Sequence, residues 1–103
     1  MATLTVIYWR DIPAQVVAEE GRGRRREQAK VEMPRRFALA IDEAAMRDGA
    51  DGTDDYLAEW RKSEPESIDG DLQAAAEARA QALDLEYNKE VLASLVANGG
   101  TAS

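Results

Sequence analysis

The alternation of apolar and polar side chains at the start of the chain predicts two β-strands. Residues 3–10 and 14–20 both alternate with the period of two that is typical of strands. In residues 3–10 apolar side chains lie on both sides, so we expect both faces of this strand to be covered. Asp11-Ile12-Pro13 predicts a turn between the strands, because proline fixes its own φ and disfavours the helical region for the residue before it.

A third strand is predicted at residues 29–33, where apolar and charged residues alternate again. Gly21 and Gly23 precede it and allow the positive φ angles of a tight reversal. The arginine-rich segment beside them therefore falls at or near a hairpin tip. A helix over residues 24–30 is the competing interpretation, because Arg, Glu, Gln, Ala and Lys are good helix formers. The alternation and the glycine pair favour the strand.

The middle of the chain has the period of α-helices. Pro34 suits a first helical position, and apolar residues then recur every three or four positions until Gly49, which can end the helix. Thr53 can cap a second, short helix that ends near Arg61. This helix carries three large apolar side chains on one side: Tyr56, Leu57 and Trp60.

An extended segment and a final helical segment complete the pattern. Residues 62–70 contain a proline, and residues 66–68 could add a short edge strand. Asp69 or Asp71 can cap the helical segment, and Asn88 marks a break after which the helix restarts. Its apolar stripe has helical spacing: Leu72, Ala75, Ala76, Leu83, Tyr87, Leu92 and Leu95.

Together these elements predict a single α+β domain over residues 3–97. An antiparallel β-meander of about three strands, with a short fourth strand that could lie at its edge, packs against about three helices. The length of 103 residues allows one modest core. Residues 98–103 begin with the Asn-Gly-Gly that ends the last helix, and we expect them to form a flexible C-terminal tail.

The composition excludes several kinds of functional site. The chain has no cysteine and no histidine, so disulfides, zinc sites of the Cys/His type and histidine as a general base are all excluded. We expect no cofactor and no metal. The start of the chain does not have the pattern of a signal peptide, and no stretch approaches the roughly 18 apolar residues of a membrane span. These features favour a cytoplasmic protein that does not bind membranes.

Charge is divided unevenly between the two halves of the chain. Residues 1–52 contain nine basic and nine acidic residues, whereas residues 53–103 contain four basic and eleven acidic ones, which gives the net charge of −7. An acidic body repels nucleic acid, and no aromatic residues interleave the arginines to stack on bases. We therefore expect no nucleic-acid partner.

The strongest local exception to the acidic character is an arginine cluster formed by Arg22, Arg24, Arg25 and Arg26. Guanidinium groups on a hairpin can bind phosphates or the carboxylates of a protein partner. The alternative is a solvated hairpin tip that protects the sheet from pairing at its edge. The cluster is the first candidate for a binding site.

The Trp9-Arg10 pair is the second candidate. The spacing of the large aromatic residues fits packing in the core: Trp9, Tyr56, Trp60 and Tyr87. Trp and Arg are also frequent in binding hot spots. A partly exposed Trp9 beside Arg10 would therefore contact a partner.

Other candidate chemistry is weaker in each case. Gly21-Arg22-Gly23 does not have the spacing of a phosphate-binding loop, and a calcium loop starting at Asp48 would match the motif only at Glu59. No serine has a histidine to activate it, and we predict no catalytic residue. The alanine-rich residues 74–82 favour close packing on the sheet, with self-association as the alternative.

Three stretches, residues 4–17, 36–48 and 55–60, resemble a family of small bacterial domains described as virulence factor. The run Tyr8-Trp-Arg-Asp-Ile-Pro13 is the most specific part, and the resemblance covers residues 3–97. It implies an intracellular accessory role and names no catalytic or binding residue.

The leading hypothesis is a non-catalytic accessory module that binds a protein partner and could form a homo-oligomer. The arginine cluster, Trp9 and Arg10 would form the binding site. The alternative is an accessory protein in which the same arginines bind an anionic small molecule or cofactor.

Overall fold

The computed structural model describes residues 2–21, 26–47, 49 and 52–101, except for the side chains of Thr53 and Asp55. Within these residues the chain forms five strands and four helices, which confirms the predicted α+β class. In chain order they are β1 (Ala2–Trp9), β2 (Ile12–Glu20), β3 (Glu27–Glu32), α1 (Arg35–Arg47), α2 (Thr53–Ala58), β4 (Trp60–Lys62), β5 (Glu66–Ile68), α3 (Leu72–Glu86) and α4 (Lys89–Ala97).

The five strands form one antiparallel sheet in the order β3-β2-β1-β4, and β5 pairs with the other end of β1. The third strand and the edge strand at residues 66–68 are confirmed. The placement of Trp60 on a helix is wrong, because α2 ends at Ala58 and Trp60 begins β4 opposite Trp9. The spacing of Trp60 from Tyr56 and Leu57 fits a helix, but pairing with β1 makes residues 60–62 a strand.

The two faces of the sheet differ in what covers them. On one face, apolar side chains of the strands and of α3 form part of a single core: Leu4, Val6, Val16, Ala18, Ala76, Ala80 and Leu83. On the other face, Thr3, Thr5 and Ile7 are only half-buried. The prediction that both faces of the first strand are covered is therefore wrong for most of β1, and it holds only at its end, where Trp9 is buried.

Side-chain caps define the starts of the last two helices. The Asp71 carboxylate accepts a hydrogen bond from the backbone N–H of Ala74 at 2.8 Å, and the Asn88 side chain accepts one from Val91 at 3.0 Å. These caps confirm the predicted break at Asn88. The predicted cap at Thr53 is wrong by one residue, because Gly52 is the N-cap of α2 and has no side chain to act as one.

The C-terminal segment packs against the turn between β1 and β2. The backbone N–H of Asp11 donates to the carbonyl of Gly100 at 2.9 Å, and both Gly99 and Gly100 are buried. The packed domain therefore extends at least to Gly100, inside the segment that the sequence assigns to a tail. Residues 102–103 lie outside the described residues.

Candidate functional site

Most of the sheet face opposite α3 remains open to solvent. Cross-strand partners project to the same side of an antiparallel sheet, and here they form three rows: Thr3, Glu19 and Gln28; Thr5, Val17 and Lys30; and Ile7, Gln15, Glu32 and Lys62. We call these residues the uncovered face. Its side chains are mostly polar, whereas those of the core face are apolar.

Arg26 lies at the hairpin end of the uncovered face and is held there by Glu19. Its Nε donates to Glu19 Oε2 at 3.1 Å, and its Nη2 contacts the same oxygen. Gln28 adds a third hydrogen bond to this oxygen at 3.2 Å. These contacts, above all the hydrogen bond from Arg26, hold the pKa of Glu19 below its ordinary value. Arg26 is therefore positioned across the hairpin, and its charge is partly neutralised.

Two lysines supply the remaining positive charge of the uncovered face. Lys30 and Lys62 are both exposed, and among the described residues neither forms an ion pair. With Arg26 they surround a depression of about 140 Å³ whose floor includes Thr5 and Val17. This part of the face can accept carboxylate or phosphate groups.

An aromatic groove of about 300 Å³ continues the uncovered face where it meets α1 and α2. Tyr56 and Trp60 form its aromatic wall, with their rings edge to face and 5.7 Å apart. Ile7 and Gln15 line both the groove and the lysine depression, so the two join into one surface. This combined surface is the candidate binding site.

The aromatic groove has an acidic rim, unlike the lysine depression. Glu32 and Asp42 line the groove, and among the described residues neither has an ion-pair partner. Burial raises the pKa of Tyr56, and the nearby Asp42 carboxylate adds to the rise. The candidate site therefore has a positive end and a negative end.

Trp9 is not a surface residue. Its side chain has no exposed area, its Nε1 donates to the carbonyl of Tyr56 at 2.9 Å, and its ring stacks on that of Tyr56 at 5.8 Å. This burial confirms the core packing that the spacing of the aromatic residues favours, and the partial exposure on which a partner contact of Trp9 would depend is not found. Alternation along β1 places Trp9 on the same face as Ile7, but α2 and the C-terminal segment cover this end of the face.

Arg10 serves the same packing. Its Nη1 donates to the carbonyl of Gly99 at 2.7 Å, its Nε lies 3.4 Å from Glu59, and its guanidinium stands 4.9 Å from the centre of the Trp9 ring. These contacts hold the C-terminal segment over Trp9. They give Arg10 a structural role, and its contact with a partner stays a prediction.

The arginine cluster is described only at Arg26, because Arg22, Arg24 and Arg25 lie outside the described residues. Sequence reasoning missed Lys30, Lys62 and Trp60 as site residues. Alternation along β3 could have placed Lys30 beside Arg26. The position of Lys62 depends on the pairing of β4 with β1, for which three residues carry no clear signal.

The structure also bears on metal binding and on membrane spans. Within the described ranges, no cluster of three or more Asp and Glu side chains is arranged to hold a metal ion. Asp48, Asp51 and the side chain of Asp55 lie outside these ranges. No helix in the same ranges is both long and apolar enough to cross a membrane.

Comparison with known proteins identifies the family. The model of the virulence factor family matches residues 7–96, which include every residue that lines the aromatic groove and all but Thr5 of those that line the lysine depression. Searches of curated proteins and of solved structures find no significant match. The match spans most of the 103 residues, and the chain belongs to the virulence factor family.

Proposed function

We propose that this domain is a non-catalytic accessory protein that binds a protein partner in the cytoplasm through its uncovered face. One observation carries the proposal: the uncovered face joins an aromatic groove and two lysines, which form no ion pair with any described residue, into one continuous surface. Trp, Tyr and Arg are enriched among the residues that dominate protein–protein binding, and Trp60, Tyr56 and Arg26 all line this surface.

The charges of the surface describe the kind of partner that would fit it. Lys30 and Lys62 lie at one end, and Glu32 and Asp42 at the other. A complementary segment would place acidic side chains over the lysines, an apolar or aromatic side chain against Trp60, and basic side chains over the acidic rim. Such complementarity fixes orientation and favours one partner over others.

The size of the lysine depression supports a macromolecular partner over a small molecule. Small-molecule sites typically enclose about 300–1,000 Å³ and bury most of the ligand. The lysine depression, at about 140 Å³, is smaller than this range, and the aromatic groove, at about 300 Å³, lies at its lower limit. The cations around the depression still fit the alternative, a small anion such as phosphate, which the experiment below includes.

The directions of the pKa shifts among the residues that the structure describes support a non-catalytic role. Arg26 lowers the pKa of Glu19, which favours its ionised form. Burial raises the pKa values of Tyr56 and Tyr87, which favours their neutral forms. A general base works best when its pKa lies near the working pH, and none of these shifts moves a group in that direction.

Charge reversal at the two lysines tests the proposal. Lys30→Glu and Lys62→Glu would be used separately as bait in a lysate of the organism that encodes the protein, with quantitative mass spectrometry of the captured proteins. Arg35→Glu is the matched control, because Arg35 is exposed at the start of α1 and outside the candidate site. We expect a protein that the wild type and Arg35→Glu capture and that both lysine variants lose.

Two results would contradict the proposal. If all four proteins capture the same set, the uncovered face does not determine binding. If phosphate or pyrophosphate instead raises the melting temperature of the wild type in a saturable way, and the lysine variants lose this shift while capture is unchanged, the depression is a small-anion site.

A further inference from the structure

A second groove runs between α1 and α4. On α1, Ala38 and Asp42 line the aromatic groove, whereas Ala40 and Glu43 line this second groove. The two grooves therefore lie on opposite sides of α1. Positions that differ by two residues on a helix are about 200° apart. We call it the α1–α4 groove, and it is separate from the uncovered face.

The floor and walls of the α1–α4 groove are apolar and come from one stripe on each helix. Its apolar lining consists of Leu39, Ala40, Leu92, Ala93, Val96 and Ala97. The three alanines end at Cβ and so leave a depression of about 310 Å³ between the two helices. Leu39 remains 53% exposed on its wall, which leaves a large apolar surface available to a partner.

The rim of the groove is basic although the chain as a whole is acidic. Arg36, Arg47 and Lys89 line it, with Glu43 as the one acidic side chain in the lining, whereas the net charge of the chain is −7. Arg36 is already ion-paired with Asp84 at 2.5 Å, so Arg47 and Lys89 supply most of the charge available to a ligand. The Arg47–Glu43 contact is long, at 3.8 Å, and both side chains are well exposed, so it neutralises little. Among the described residues Lys89 has no ion-pair partner.

The cations lie at both ends of the groove. Arg36 donates to the carbonyl of Tyr87 at 2.8 Å, two residues before α4 begins, so α1 and α4 start at the same end. Lys89 lies at this end too, as the first residue of α4, and Arg47 ends α1 at the other. A complementary ligand would therefore carry negative charge at both ends of an apolar stripe.

The length of the groove fits a short helix. The lining of α1 runs from residue 36 to 47 and that of α4 from 89 to 97, which at 1.5 Å per residue corresponds to about 16 and 12 Å. Two to three helical turns of about 5.4 Å each span this distance. Such a helix presents apolar anchors at positions i, i+3 or i+4, and i+7, the pattern of helix-in-groove recognition.

We infer that the α1–α4 groove binds an acidic amphipathic helix of another protein. Apolar anchors of this helix lie on the alanines beside Leu39, and its acidic flanks meet Arg47 at one end and Lys89 at the other. The inference does not depend on the partner of the uncovered face. With both surfaces in use, the domain connects two binding partners.

A designed peptide pair tests the inference. The probe is a fluorescent 16-residue helical peptide with leucines at positions i, i+4 and i+7 and glutamates at both ends, and the control peptide has lysines in place of the glutamates. Fluorescence anisotropy measures the affinity of each for the folded protein. We expect the acidic peptide to bind at least about tenfold more tightly, because its charges match the rim.

Matched leucine variants locate the binding. Leu39→Asp places a charge in the groove, and Leu57→Asp makes the same change at a leucine of similar exposure, 59% against 53%, on α2. Leu39→Asp should weaken binding of the acidic peptide about tenfold or more. Leu57→Asp should bind this peptide with nearly the affinity of the wild type. Lys89→Glu should weaken it by a smaller factor. Circular dichroism checks that all variants are folded.

Three results would overturn the inference. The first is equal or absent binding of the two peptides. The second is equal binding by Leu39→Asp and Leu57→Asp, which would place the peptide elsewhere. The third is a dimer of the protein alone in sedimentation that Leu39→Asp abolishes, because the groove would then hold a second copy of this chain.

Discussion

The two faces of the sheet show how the same strands serve the fold on one side and remain available for binding on the other. Val16 and Val17 are neighbours in β2 and both are buried, but Val16 has no exposed area and lies in the core, whereas Val17 is 9% exposed and lies among polar side chains of the uncovered face. On the core side, small residues such as Ala18 and Ala76 allow α3 to approach closely. Antiparallel sheets commonly have one packed and one solvated face.

The boundary between these regions lies within one face. Trp9 and Trp60 are cross-strand partners on the same side of the sheet, but Trp9 is fully buried and Trp60 is partly exposed. Tyr56 packs on both rings. The cover over Trp9 ends at Trp60, so the aromatic groove begins where the packing of the fold stops.

The largest expected effect comes from Trp9. Trp9→Ala should lower the free energy of unfolding by about 3–5 kcal/mol, because it leaves a large cavity and removes the indole hydrogen bond. Trp60→Ala should cost distinctly less, since part of its side chain is already in water. Chemical denaturation measures both. An equal or greater loss for Trp60 would mean that the aromatic groove is part of the core.

The cover over Trp9 can be tested at Gly100. A Cβ at Gly100 would lie 2.9 Å from the Trp9 ring, and its φ of +97° is unfavourable for other residues. Gly100→Ala should therefore cost about 2–4 kcal/mol from backbone strain and overpacking together.

Gly70→Ala is the matched control, because Gly70 has a φ of +90° but no atom within 4 Å of its Cβ position. Gly70→Ala should lower the free energy of unfolding by the backbone strain alone, about 1–2 kcal/mol. Equal losses in thermal or chemical denaturation would show that the C-terminal segment does not press on Trp9.

Substitutions of the neighbouring residues Val16 and Val17 test the difference between the two faces directly. Val16→Thr should cost about 1–3 kcal/mol, because it buries a hydroxyl in the core. Val17→Thr should lower the free energy of unfolding by less, because Val17, although only 9% exposed, lies beside polar side chains of the lysine depression that its hydroxyl can reach. Both are measured by chemical denaturation, and similar losses would contradict the distinction between the faces.

Raising the pH should lower the free energy of unfolding by less than the substitutions above, through Tyr87 on the core side of the sheet. Burial raises the pKa of Tyr87 above its ordinary value of 10.0, and the nearby Tyr8, Glu86 and Asp11 add to the rise. The folded protein therefore retains this proton to higher pH than the unfolded chain, so the free energy of unfolding should fall as pH rises above about 10.

Tyr87→Phe should make this fall less steep, while stability near pH 7 changes little in comparison. Melting temperatures from pH 7 to 11 for the wild type and the variant measure the difference. Identical profiles would show that Tyr87 does not contribute to the alkaline loss.

Local patterns predicted most of the fold but little of the site. Period-two alternation located β1 to β3, and the caps at Asp71 and Asn88 located the last helices. β4 was missed, because three residues are too short for a periodic signal. The spacing of the aromatic residues fitted the burial of Trp9, but its contacts could not be predicted, because Tyr56 and Gly100 lie 47 and 91 positions away in the chain.

A site-specific photo-crosslinker tests the binding role of the uncovered face most directly. The group would replace Gln28 on this face or, as a control, Gln81 on the exposed side of α3, and cells making each variant would be irradiated. We predict one prominent crosslinked protein from position 28 and none from position 81. The same crosslinked protein from both positions, or crosslinks from position 81 alone, would contradict the account.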